Sequence, residues 1–224
     1  HYNSRGAPAC IPDLSYTELR DFYTTHYHPS NSIFMTFGDI PADTHQAVFE
    51  EHALANFERL HEKIEVPLER RYSEPLRVQE TYAFDDSGSA DNKTHIVMAW
   101  LLGESSDLEA QLEAQLLSSV LLDNSASPLQ QALETTDLGQ APSPLCGLEE
   151  SMREMVFACG IEGSEASSAE DLEKLVLGVV QRLADEGIAA EKMEAVLHQL
   201  ELHQREVSGD SYPYGLQLIL TALG

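Results

Sequence analysis

Two almost uninterrupted apolar runs limit what this chain can fold into. "HIVMAWLL", His95 to Leu102, and "MREMVFACGI", Met152 to Ile161, are far shorter than a membrane span. Each is bounded by polar or turn-forming residues, so each reads as a strand covered on both faces. The first is expected to lie at the centre of a sheet. Helical periods surround them. Ser106 and Glu109 have capping-box spacing, and Leu108, Leu112, Leu116 and Val120 carry a helix onward from there. Ser127-Pro128 opens a shorter helix that Gly139 is expected to close. Leu172, Leu175, Val176, Val179, Val180 and Leu183 form the stripe of a long helix ended by Gly187, and Met193, Val196, Leu197 and Leu200 the stripe of another.

The N-terminal third has its own pattern. Ser15 and Glu18 have capping-box spacing, with Leu14 and Leu19 placed to form a staple across the cap. Leu19, Phe22, Tyr23 and His26 fall on one helical face, and Pro29 cannot continue that helix. Ile33 to Phe37 reads as a strand ended by Gly38-Asp39. Pro41 suits a first helical turn, and Phe49, Ala53, Phe57 and Leu60 give the next helix its stripe. From Glu62 to Pro75 charge and two prolines replace any period, the mark of a linker. Leu76, Val78, Tyr82 and Phe84 then alternate as a half-buried strand, followed by the polar stretch "DDSGSADNK". Strands in hairpin-like pairs with helices between them predict an α+β fold, a mostly antiparallel sheet packed against helices. Chain length allows one sizeable core or two modest ones. With no starting Met and a last residue inside an apolar period, the chain is expected to be a fragment of a larger protein.

Thirteen basic and 38 acidic residues give a net charge of −25. Such a surface repels phosphate backbones and would attract basic peptides, or else the acidity serves only to keep the chain in solution. No apolar run has membrane-span length. Cys10, Cys146 and Cys159 are odd in number and widely spaced, which argues for a reducing compartment over a disulfide framework. Neither HExxH nor HxxEH occurs. The nearest approach, "VFEEH", has Val48 where the first histidine would stand, and an aliphatic side chain cannot ligate. His26 and His28 flank a helix end and read as structural. GxSxG is absent, and Cys146 and Cys159 sit in apolar surroundings where cysteine acts as a small hydrophobe. The residues by themselves present no catalytic constellation.

The stretch "IPDLSYTELRDFYTTHYHPSNSIFMTFGDIP" resembles a segment of the insulinase (pitrilysin) family of zinc metallopeptidases, in its presequence protease branch. "SEPLRV", "WLL", "SASPLQQALE", "LADEGI" and "YPYGLQL" follow in the same order as their counterparts there, so the likeness covers essentially the whole chain. It is specific at HYHPSN and SASPL and looser in the long helices. The resemblance implies a metallohydrolase domain like that of the mitochondrial processing peptidases, in a protein of two halves enclosing a chamber. It places residues 1–66 as the closing segment of an upstream catalytic domain, 67–75 as a linker, and 76–224 as the second, non-catalytic domain of that half. The HxxEH motif and its distal Glu would lie upstream of this chain. No catalytic or metal residue therefore carries over, and no cofactor is expected in this chain, although zinc is expected in the full-length protein.

The function implied is an accessory part of a zinc metalloendopeptidase that degrades unstructured, basic peptides, walling the chamber and holding substrate. The alternative is a non-peptidase scaffold of the same fold. Expected partners are the rest of the same polypeptide and such peptides, with no nucleic acid and no membrane. The expected compartment is bacterial cytoplasm, mitochondrial matrix or plastid. In relatives of this kind the second domain offers a sheet edge to the peptide. The matching stretch here is "QAPSPLCGL", Gln140 to Leu148, where Pro142 and Pro144 lack donors and, in one extended strand, would face the same side; this marks a sheet edge or a loop, and the alternative reading is that the prolines only prevent aggregation. Leu145, Cys146 and Gly147 are the expected substrate contacts.

Overall fold

The computed structural model describes residues 7–61, 64–84, 88–206 and 213–222. They divide into two compact units. One holds the residues up to Glu69 and the C-terminal helix; the other runs on from Arg70.

In the first unit, helix α1 (Tyr16–His26) starts at the reciprocal cap its sequence specifies. Ser15 Oγ accepts the Glu18 N–H at 3.2 Å, and Glu18 Oε2 accepts the Ser15 N–H at 2.8 Å. A 3-10 turn at Pro29–Asn31 follows, and Asn31 Nδ2 donates to the His26 carbonyl at 3.1 Å, satisfying one of the orphan acceptors of the helix end. Helix α2 (Ala42–His52) takes Pro41 as its cap residue, one position before the first turn expected for it. The stripe expected to run on through Phe57 and Leu60 does not form. Ala53 leaves the helical region, a 3-10 turn spans Leu54–Asn56, and Phe57 and Leu60 stay exposed. Polar groups explain the stop: Asn56 Nδ2 caps the His52 carbonyl, and the Leu60 N–H donates to Ser30 Oγ at 3.0 Å. Ile33–Phe37, expected as a strand, joins no ladder among the described residues. Its β propensity has no neighbouring strand here to act through. Helix α7 (Tyr214–Thr221) belongs to this unit, with Gly215 against the Phe37 ring, where a Cβ would come within 2.8 Å. No described residue of the unit is buried, and Leu19, Phe22 and Tyr23 of α1 are each more than half exposed.

The second unit is a sheet with helices on one face. Strand β4 (Glu154–Ser164) is central. It pairs antiparallel with β1 (Thr94–Glu104) on one side and with β2 (Ala141–Pro142) and β3 (Gly147–Glu149) on the other. The central place expected for His95–Leu102 thus goes to the second apolar run. β1 has a ladder on its β4 side alone among the described residues, and its exposure alternates, with Ile96, Met98 and Trp100 turned to the helices. An apolar run shows that a strand can be buried, but which strands flank it is decided elsewhere in the chain. Leu76–Phe84, also expected as a strand, joins no ladder; Leu76 is 64% and Val78 68% exposed.

Helix α3 (Leu108–Leu122) is capped by Asp107 rather than Ser106: its Oδ1 accepts the N–H groups of Glu109 and Ala110, both at 3.2 Å. A carboxylate there also meets the positive end of the helix dipole. Helix α4 (Pro128–Thr135) ends four residues before Gly139, so Gly139 is not its stop. That glycine is required by packing instead, since a Cβ would lie 2.9 Å from the Glu162 carbonyl oxygen and 3.0 Å from Ile161 Cβ. Helix α5 (Ala169–Glu186) does end at Gly187, with φ of 78°, and α6 (Ala190–Arg205) follows. Leu121, Leu129, Leu133, Cys159, Ile161, Leu172, Val176 and Val179 make the core between α3, α4, α5 and β4. Each large aliphatic side chain buried there contributes about 1.5–3 kcal/mol.

Candidate functional site

The stretch expected to hold peptide, Gln140 to Leu148, forms the sheet edge beside β4, but in two pieces. The Cys146 N–H donates to the Ser143 carbonyl at 3.1 Å, closing a turn with Pro144 at its second position. Ser143 anchors the turn. Its N–H donates to the Gly160 carbonyl at 2.9 Å, and its buried hydroxyl accepts the Leu145 N–H at 3.2 Å. Pro142 lies in β2 and Pro144 in the turn, so the two prolines do not share one extended strand, and the same-side arrangement expected of them is not formed. A proline at the second turn position presets the φ that the turn needs.

The three expected contact residues are adjacent but differ in kind. Leu145 is 66% exposed at the turn tip. Cys146 is half-buried, its Sγ accepting the Gly160 N–H at 3.3 Å and donating to the Gly160 carbonyl at 3.5 Å. Gly147, with φ of 132°, re-enters the ladder opposite Ala158. The N–H groups of Leu145 and Cys146 are both used within the turn, which leaves the Leu145 side chain as its main offer to a ligand. One further group was not read from the sequence. The Glu149 carboxyl is held below its ordinary range by the Ser151 hydroxyl, then by the Ser151 N–H, so β3 ends on an ionised acid. The Glu-x-Ser spacing was its only signal.

The other candidates prove structural. His28 Nδ1 accepts the Ser30 N–H at 3.1 Å, and its ring stands edge-on to Phe57. His26 lies on Phe22 with centroids 4.2 Å apart. The HYHPSN segment therefore stops a helix and braces the chain after it. Val48 to His52 are the closing turns of α2. Among the described residues no three His, Cys, Asp or Glu side chains converge to hold a metal ion. Cys159 is fully buried; burial pushes its thiol up to about 12, and the neighbouring Cys146 adds to the rise. Burial also raises Cys146. Both behave as small hydrophobes, with no thiolate to offer at neutral pH.

The family described as "Peptidase M16 inactive domain" matches residues 13–200. The chain is 35% identical over 216 residues to the mitochondrial presequence protease of Xenopus tropicalis, covering 96% of this chain and 21% of that protein. It is 30% identical over 224 residues to presequence protease 1, chloroplastic/mitochondrial, of Arabidopsis thaliana, covering 99% and 21%. Against the mitochondrial presequence protease of Aspergillus fumigatus the identity is 33% over 204 residues, covering 91% and 19%. The chain thus spans about a fifth of the length of these relatives. With the match over most of its length and the HYHPSN and SASPL segments in place, the chain belongs to the insulinase (M16) peptidase family, in its presequence protease branch.

Proposed function

We propose that this chain is a non-catalytic part of a zinc metalloendopeptidase that degrades unstructured peptides, where it walls the chamber and holds substrate. The match of residues 13–200 to a domain described as inactive, alongside relatives named presequence proteases, carries this reading. Residues 1–66 then close an upstream catalytic domain, 67–75 link, and 76–224 form the second domain of that half. Zinc and its ligands belong to the rest of the polypeptide. Exposed Leu19, Phe22 and Tyr23 on α1 support this, because an apolar face of that kind needs a covering surface, and the remaining polypeptide supplies it. At the turn, Leu145 and the nearby Glu149 suit an extended peptide with apolar and basic side chains, as does the net charge of −25. No helix among the described residues is long and apolar enough to cross a membrane. The names of the relatives support a mitochondrial or plastid compartment.

An unstructured basic peptide incubated with this chain and with the full-length protein, with and without a chelator, tests the proposal. Cleavage is expected from the full-length protein alone and is abolished by the chelator. Chelator-sensitive cleavage by this chain overturns the reading, and a full-length protein that never cleaves supports the scaffold alternative. In the full-length protein Leu145→Ala is expected to raise KM about fivefold with kcat little changed, from loss of part of one leucine contact. An unchanged KM removes the turn from the substrate surface.

A further inference from the structure

Among the described residues, side-chain contacts alone tie the segment from Arg71 to Tyr82 to β1 and its neighbours. At one end Arg71 donates to the Leu102 carbonyl at 3.1 Å and pairs with the buried Glu154 at 2.5 Å. Midway, one guanidinium nitrogen of Arg77 reaches both carboxylate oxygens of Glu173 on α5, at 2.7 and 2.8 Å. At the far end the Tyr82 hydroxyl donates to the Lys93 carbonyl, and its ring stands edge-on to His95 with centroids 5.8 Å apart. As the segment rises from 71 to 82, its partners at β1 fall from Leu102 to Lys93 and His95. The segment therefore runs antiparallel to β1. No backbone ladder joins the two, and the alternating Leu76, Val78, Tyr82 and Phe84 remain exposed.

We propose that residues 76–84 are a strap that closes on β1 as an antiparallel edge strand, with Tyr82 opposite His95, Glu80 opposite Val97, Val78 opposite Ala99 and Leu76 opposite Leu101. The Tyr82–His95 ring contact sets this register, and the sides on which Arg77 and Tyr82 make their contacts set which face each residue takes. Ile96, Met98 and Trp100 of β1 face the helices, so His95, Val97, Ala99 and Leu101 face the other way. Residues directly opposite in an antiparallel pair share a face. Arg77 reaches α5 and so lies on the helix side, while Tyr82 meets His95 and lies on the other. A slip of one residue would reverse both placements at once. In the proposed register Leu76, Val78, Tyr82 and Phe84 extend the face made by Val97, Ala99 and Leu101, and Pro75, which cannot donate to a ladder, stands just before the strand begins. Closure pairs the N–H and C=O groups along the outer edge of β1, which would otherwise be a template for another chain. The broken edge at β2 and β3 is then the open side of the sheet among the described residues. The proposal stands whether or not that edge binds peptide.

Two measurements on this chain test it. In a Cys10→Ser background, Val78→Cys with Ala99→Cys is compared with Gln79→Cys and Ala99→Cys, using oxidised glutathione as electron acceptor and peptide mapping as readout. Opposed side chains on one face meet disulfide geometry and side chains on opposite faces do not, so the first pair is expected to cross-link at least about tenfold faster. Equal rates, or a faster second pair, overturn the register. In the unsubstituted chain, amide exchange over residues 76–84 is expected to be at least about tenfold slower than for an unstructured peptide of that sequence. Uniform unstructured rates overturn closure itself.

Discussion

Gly160→Ala tests the centre of the sheet. Gly160 sits in β4 opposite Val97, and an added Cβ would lie 2.1 Å from the Ile96 carbonyl oxygen and 2.8 Å from Val97 Cα. Both are backbone atoms of β1, so no side chain can swing aside. Relief requires β1 to move by roughly 1 Å against β4, which lengthens the ladder and disturbs the turn that Ser143 and Cys146 fasten to Gly160. Inserting a methyl into a packed site costs about 1–3 kcal/mol, and a backbone clash places this one at the upper end, about 3 kcal/mol. Gly178→Ala is the control. It lies within α5 with nothing within 4 Å of a new Cβ, so it is expected to gain about 0.5–1 kcal/mol from helix propensity. Trp100, the single tryptophan, lies in β1 against Phe157, so its fluorescence in urea reports unfolding of this unit. With m of about 2 kcal/mol/M, the midpoint should fall by about 1.5 M for Gly160→Ala and rise by about 0.4 M for Gly178→Ala. A Gly160→Ala midpoint within about 0.3 M of the unsubstituted chain would refute the close approach of the two strands.

Further outcomes follow from the same contacts. Asp107→Ala is expected to cost about 1 kcal/mol and Ser106→Ala almost nothing, by thermal or urea unfolding, because Asp107 holds the amides of the α3 cap. Arg71→Ala removes the guanidinium from buried Glu154 and should cost about 2 kcal/mol, below the usual cost of breaking a buried pair because Arg71 is half exposed and screened. Arg77→Ala, whose partner Glu173 is on the surface, should leave the urea midpoint nearly unchanged. The Cys159 thiol, raised from 9.0 to about 12, binds its proton more tightly in the folded chain than in the unfolded one. Its contribution is complete below pH 9 and is lost as pH rises toward 12, at up to about 1.4 kcal/mol per pH unit. Unfolding from pH 8 to 11.5 should therefore fall less steeply in Cys159→Ala than in the unsubstituted chain, and parallel curves would contradict the burial of that thiol.

Features whose physics is local or compositional were legible in the amino-acid order. The reciprocal Ser15–Glu18 cap, the Gly187 stop of α5 and the burial of the run that becomes β4 each depend on residues a few positions apart. The family rests on short ordered segments such as HYHPSN and SASPL, which the match over residues 13–200 bears out. The cap of α3 shows the limit of local reading: Ser106 and Asp107 both suit the place, and the folded chain uses Asp107. Tertiary structure alone decided which apolar run is central, because a strand's neighbours are set by pairings sixty residues distant, Val97 with Gly160 among them. It also decided what the glycines at 139 and 160 are for, since close approach to another strand leaves no mark in the flanking sequence. The stretch from Gln140 to Leu148 reads as a sheet edge or as loop, yet forms an edge in two pieces joined by a turn. Ser143 finds its partner in Gly160, and that bond fixes where the edge breaks and leaves Leu145 at the tip.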